Sequence, residues 1–160
     1  MSEESKERVY EPDEIEARLK RELPHWRYEN GWIRRTFRTS GWKGTLMVIN
    51  AVGHLAEAAW HHPDIAASYA WVEVKLQNHS AKRITDKDFE LARKIEDFVS
   101  WRPGKEGGAL EGTPTGDQRF AYIKYDDVIR ALVLITAVPS PCTCVRGVHR
   151  EGPQFAPRSS

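Results

Sequence analysis

The chain reads as an α+β domain in which helices cover one face of an antiparallel sheet. Three features carry that reading. Asn30-Gly31 lies between Trp26-Arg27-Tyr28 and residues 32–38, and a type I′ hairpin turn needs positive φ at both central positions. Residues 68–78 alternate, with Ala70, Val72, Val74 and Leu76 on one side and Trp71, Glu73, Lys75 and Gln77 on the other. That is the period of a half-buried antiparallel strand. The stretches around them repeat with helical period, so the order is helix, hairpin, helix, strand, helix.

Pro12 suits the first position of a helix running to Leu23, with Ile15, Leu19 and Leu23 on one face. After the hairpin, a long helix is expected over about 44–61, with Leu46, Ile49, Gly53 and Ala56 inward. Thr85, with Asp88 three residues on, resembles a capping box. The helix it opens is expected to reach Trp101, with Phe89, Ala92, Ile95 and Val99 buried. Residues 119–125 (RFAYIKY) are the expected partner of the 68–78 strand and bring the sheet to four strands.

Composition bounds the rest. The 160 residues suit one domain with tails, and 40% hydrophobic and 29% charged residues are ordinary for a globular protein. A net charge of +1 supplies no global field for nucleic acid or a membrane surface, and no apolar run reaches membrane-spanning length. Trp26, Trp32, Trp42 and Trp71 lack a basic stripe beside them, so they read as packing residues rather than a base-stacking platform. Residues 1–11 are polar and mixed in charge, unlike a secretory signal, and read as a mobile arm. The domain proper spans 12–101. Residues 102–118 hold five glycines and two prolines and open an extension to 138 of loop and extra strand or helix, and 139–160 read as a disordered tail. The two cysteines, Cys142 and Cys144, are too close for an easy disulfide and too few for a zinc site, which fits the cytoplasm.

The chemistry gathers at the histidines, four of which fall between positions 54 and 79. In His61-His62-Pro63 the proline ends the long helix, so the pair lies at the C-terminal end, where the helix dipole favours imidazolium. Glu57, four residues earlier, is placed to hold the His61 ring. His79 ends the following strand and Asp88 opens the last helix, so three imidazoles and two carboxylates are expected to converge. Histidine donates and accepts protons near neutrality, and a carboxylate fixes its tautomer. His54, Glu57 and His61 do not form the H-E-x-x-H zinc arrangement, so neither metal nor redox cofactor is expected. His54 and His149 read as ordinary surface histidines.

The string Glu57-(x3)-His61-His62-Pro63-(x5)-Tyr69-(x9)-His79-(x8)-Asp88 resembles the signature of the pterin-4a-carbinolamine dehydratases. Ala56-Glu57, the TDKDFELARKI stretch over 85–95 and Ile33-Arg34-Arg35-x-Phe37 agree with it, so the likeness covers about 12–101. The resemblance implies a four-stranded antiparallel sheet with helices on one face, and dimers or tetramers. It also implies dehydration of 4a-hydroxytetrahydropterin to the quinonoid dihydropterin, a step that recycles the cofactor of aromatic amino-acid hydroxylases. By position, His61, His62 and His79 would be the acid–base and binding residues, Glu57 and Asp88 would orient them, and Pro63 would shape the loop. Trp60, Asn78, Ser80 and Ile65 replace, respectively, a small polar residue, a Thr or Ser, an acidic residue and an aromatic, which alters the pocket wall. Some members of the family serve instead as dimerisation cofactors of transcription factors or as assembly factors for carbon-fixing enzymes. Retention of all three histidines favours catalysis over that alternative.

Overall fold

A computed structural model describes residues 7–114 and 120–125 of the chain. The elements are α1 (Pro12–Glu22), β1 (Arg27–Glu29), β2 (Trp32–Thr39), α2 (Trp42–Ala59), β3 (Asp64–Ser68), β4 (Trp71–Leu76), α3 (Asp86–Val99), a 3₁₀ turn at Pro103–Lys105 and a short β5 (Ile123–Lys124). The antiparallel sheet has the order β1-β2-β4-β3, and β5 joins the β1 side of β2 at its far end.

Local chemistry accounts for most of these boundaries. Pro12 begins α1, and Glu11 and Glu14 cap each other's backbone N–H groups there. Asn30 and Gly31 take φ of 53° and 82°, and Glu29 pairs with Trp32, so the two-residue turn forms as expected. The alternation in β2 turns Ile33 and Phe37 toward the helices, and that in β4 does the same for Val72, Val74 and Leu76. Ile15, Leu19, Val48, Val52, Phe89 and Ile95 cover them from α1, α2 and α3 in one core. The α+β architecture, with helices on one sheet face, is therefore as read from the sequence.

Several details differ. In α2 the buried positions are Gly44, Thr45, Val48, Val52 and Ala56, not Leu46, Ile49 and Gly53. Ile49 is half-buried, Gly53 is exposed, and Trp42, Leu46 and Met47 face outward. With apolar residues on both faces, periodicity alone cannot choose the inner one. Of 68–78, Trp71–Leu76 forms the strand β4 with the expected inward residues Val72, Val74 and Leu76; it is the second arm of a hairpin whose first arm, β3, begins at Asp64 and whose turn is Tyr69-Ala70. β4 pairs with β2 and β3, and among the described residues 120–125 only Ile123–Lys124 form a strand, against β2. The missed strand, β3, is exposed at every position and so carries no alternation. The last helix stops at Val99 rather than Trp101.

The expected mobile arm is packed from Glu7 on. Val9 bridges Thr85, and Tyr10 is buried and donates its amide to the Ile84 carbonyl at 3.0 Å. Residues 1–6, the extension beyond 125 and the tail with Cys142, Cys144 and His149 lie outside the described residues. No helix among the described residues is long and apolar enough to cross a membrane.

Candidate active site

The site is built where α2 ends. Trp60 takes the left-handed conformation, φ 50°, after the last helical residue. Its amide bonds the Glu57 carbonyl at 3.2 Å, and the His61 amide bonds the Ala56 carbonyl at 3.1 Å. These are the two bonds of a Schellman cap, which normally places glycine at the left-handed position. The chain then turns sharply, sending His61 inward and His62 outward, before Pro63 leads into β3.

His61 is 8% exposed and Asp88 is 0% exposed. The His61 Nε2 lies 2.7 Å from Asp88 Oδ1. A carboxylate only accepts, so the ring carries its proton on Nε2 and leaves Nδ1 free to take one. Asp88 is held in turn by the start of α3. Its Oδ2 accepts from the Thr85 amide at 2.8 Å and the Thr85 hydroxyl at 3.2 Å. The capping box read from the sequence is thus also the support of a catalytic candidate.

Glu57 holds His62 rather than His61, with Oε2 3.1 Å from His62 Nε2. The reversal of direction at Trp60 breaks the helical i, i+4 spacing, so His61 no longer lies over Glu57. Both partners of this second pair are exposed, and the Trp60 ring meets His62 edge-on at 5.5 Å. His79 Nε2 donates to the His62 carbonyl at 3.1 Å, which ties the turn after β4 to the histidine loop. The His79 ring also packs edge-to-face on Trp32 at 6.1 Å, and the Lys75 ammonium lies 5.4 Å from the Trp32 ring centre. The sequence marks Trp32 only as a packing residue. Its contact depends on the β2–β4 register, which no spacing reveals.

Asn78 and Ser80, expected in a pocket wall, serve the turn instead. Asn78 is buried, and its Oδ1 accepts from the Ser80 and Ala81 amides, each at 3.0 Å. Trp60 is 78% exposed and borders His62. A cavity of about 360 Å³ reaches His61 between α2 and α3, floored by Leu55, Ala58 and Leu91 with Lys87 and Lys94 in its wall. His62 and His79 do not line it. A second cavity, near Tyr10 and Arg18 on α1, holds none of the histidines. Among the described residues, no group of three or more His, Cys, Asp or Glu side chains is arranged to hold a metal ion.

Residues 8–98 match the family model described as pterin 4 alpha carbinolamine dehydratase. The chain belongs to this family. An Aquifex aeolicus protein provisionally named pterin-4-alpha-carbinolamine dehydratase is 44% identical over 87 residues, covering 52% of this chain and 88% of its own length. A Chloroflexus aurantiacus protein with the same provisional name is 42% identical over 76 residues, covering 48% and 82%. A Brucella melitensis structure described as a transcriptional coactivator/pterin dehydratase matches with a TM-score of 0.53 at 24% identity, over 57% of this chain and 99% of that one. At that identity the likeness speaks for the fold alone. The pterin carbinolamine dehydratase match spans every histidine and carboxylate of the site.

Proposed function

We propose that the chain is a hydro-lyase that converts 4a-hydroxytetrahydropterin to quinonoid dihydropterin and water, in tetrahydrobiopterin recycling in the cytoplasm. The observation that carries the proposal is the buried His61–Asp88 pair, 2.7 Å apart, joined through the His62 carbonyl to His79. The reaction needs a proton delivered to the 4a-hydroxyl and a proton taken from N5. The C4a–O bond breaks, the C4a=N5 bond forms and water leaves. No electrons enter or depart, so the chemistry asks only for a positioned acid and a positioned base.

His61 and His79 supply those two roles. Asp88 keeps the His61 proton on Nε2 and stabilises the imidazolium formed when Nδ1 takes another. The His62 carbonyl does the same for the tautomer of His79. Glu57 steadies His62 at the exposed side, where it binds substrate. Pro63 keeps the loop extended into β3.

The test is the dehydration rate of 4a-hydroxytetrahydropterin for wild type, His61→Ala, His79→Ala and the double variant. Each single change lowers turnover by roughly 100- to 10,000-fold. The double change costs little more than the worse single one, because the residues act as a unit. His54→Ala, on the exposed face of α2, is silent, and chelators have no effect. Wild-type rates in both single variants would overturn the assignment and favour a protein-binding role, as a dimerisation cofactor or assembly factor.

A further inference from the structure

Glu7 lies one residue before the family match begins, yet it touches both loops that carry the site. Its Oε2 accepts from Asn78 Nδ2 at 2.8 Å. Its Oε1 accepts from the Thr85 hydroxyl at 3.2 Å and lies 3.3 Å from the Lys87 ammonium. Asn78 precedes His79 and, through its own side-chain oxygen, organises the turn that follows. Thr85 holds Asp88, which holds His61. One carboxylate from the N-terminal segment therefore bridges the His79 turn and the cap beneath His61.

We propose that Glu7 is a positioning residue that fixes the spacing between His79 and the His61–Asp88 pair. The inference rests on the dehydratase reading of those histidines. The geometry at Thr85 gives Glu7 a second effect. The Thr85 hydroxyl has a single proton and two carboxylate acceptors, Glu7 Oε1 and Asp88 Oδ2, each at 3.2 Å. Whenever the proton turns to Glu7, Asp88 keeps one more free lone pair and is the stronger partner for His61. Without Glu7 the hydroxyl turns wholly to Asp88. The backbone around Glu7 is itself anchored, by the Val9–Thr85 bridge and the Tyr10–Ile84 bond. The carboxylate is thus presented by a fixed segment.

The experiment uses the full chain with Glu7→Ala and Glu7→Gln. Glu7→Ala lowers kcat by about tenfold, the usual size of losing a residue that orients a functional one, and changes KM by less than about twofold. Glu7→Gln falls between, because its amide oxygen still accepts one of the two hydrogen bonds. Glu7→Ala combined with Asp88→Ala is no slower than Asp88→Ala alone. In ring ¹H–¹⁵N spectra, His61 and His79 signals move in Glu7→Ala and the His54 signal stays. Unchanged kcat with unmoved His61 and His79 signals overturns the proposal. A loss fully additive with Asp88→Ala also overturns it, because Glu7 would then be acting apart from the pair. A wild type that fails to dehydrate the pterin refutes the dehydratase reading instead, and the ring signals alone then decide the role of Glu7.

Discussion

Replacing Asp88 with asparagine strikes the site at its most buried point. The two carboxylate oxygens serve three donors: His61 Nε2–H, the Thr85 amide and the Thr85 hydroxyl. Asparagine keeps the shape but offers one oxygen and one NH₂ group. The buried Thr85 amide needs an acceptor, so the oxygen stays there and the NH₂ faces His61. Two donors cannot meet, so the ring moves its proton to Nδ1, the atom that must take a proton in the reaction. Turnover then falls by roughly 100- to 10,000-fold. The stability cost is smaller. Two bonds drop from charge-assisted to neutral strength, about 1 kcal/mol each, and the third is exchanged for an N–H···N bond. A loss of about 2 kcal/mol lowers Tm by roughly 4–8 °C in a chain of this size. The assay pairs the dehydration rate with urea unfolding of the same samples. A folded Asp88→Asn protein turning over within a factor of two of wild type refutes the reasoning and leaves Asp88 only as the cap of α3.

Trp60→Gly is expected to stabilise the fold by about 0.5–1 kcal/mol, because glycine accepts the left-handed cap without steric cost and the ring it removes is 78% exposed; a net loss in urea unfolding would mean that the edge contact with His62 outweighs the backbone strain. The Tyr10 hydroxyl, 2.6 Å from Asp86, together with Arg18 at 2.9 Å, holds the Asp86 carboxyl below the usual carboxylate range. Its contribution to stability is therefore full above about pH 4 and is lost as pH falls through the lower folded value. The stability gap between wild type and Asp86→Asn should be widest at neutrality and close in acid; a gap independent of pH contradicts this. Because β3 is exposed at all five positions, its free edge is expected to pair with a second copy, and outward Trp42, Leu46 and Met47 on α2 offer a face for a tetramer. Light scattering showing only 18.3 kDa at working concentration excludes both.

Much of the fold was legible because it is encoded locally. Pro12, Asn30-Gly31 and the Thr85–Asp88 box each act within four residues, and β2 and β4 advertise their buried faces by alternation. The inward face of α2 was not legible, since apolar side chains lie on both sides and only the sheet selects Val48 and Val52. Nor was β3, where Ala66, Ala67 and Ser68 have little strand preference and no buried face to mark them; pairing with β4 creates that strand.

The candidate site divides in the same way. The histidines, their carboxylates and their spacing were apparent from the chain, because residue type alone sets which groups can carry protons near neutrality. Which carboxylate serves which histidine was not. Helical spacing assigned Glu57 to His61, but the left-handed turn at Trp60 passes Glu57 to His62 and turns His61 onto Asp88, 27 residues away. The Trp32–His79 contact and the Glu7 bridge, reaching 71 and 78 residues along the chain, have no sequence signal. The chemical groups, and the local turns that hold them, follow from the chain's own order of residues. Their pairing is set in three dimensions, because a hydrogen bond between distant residues depends on where the sheet and helices bring them, and sequence spacing does not record that distance.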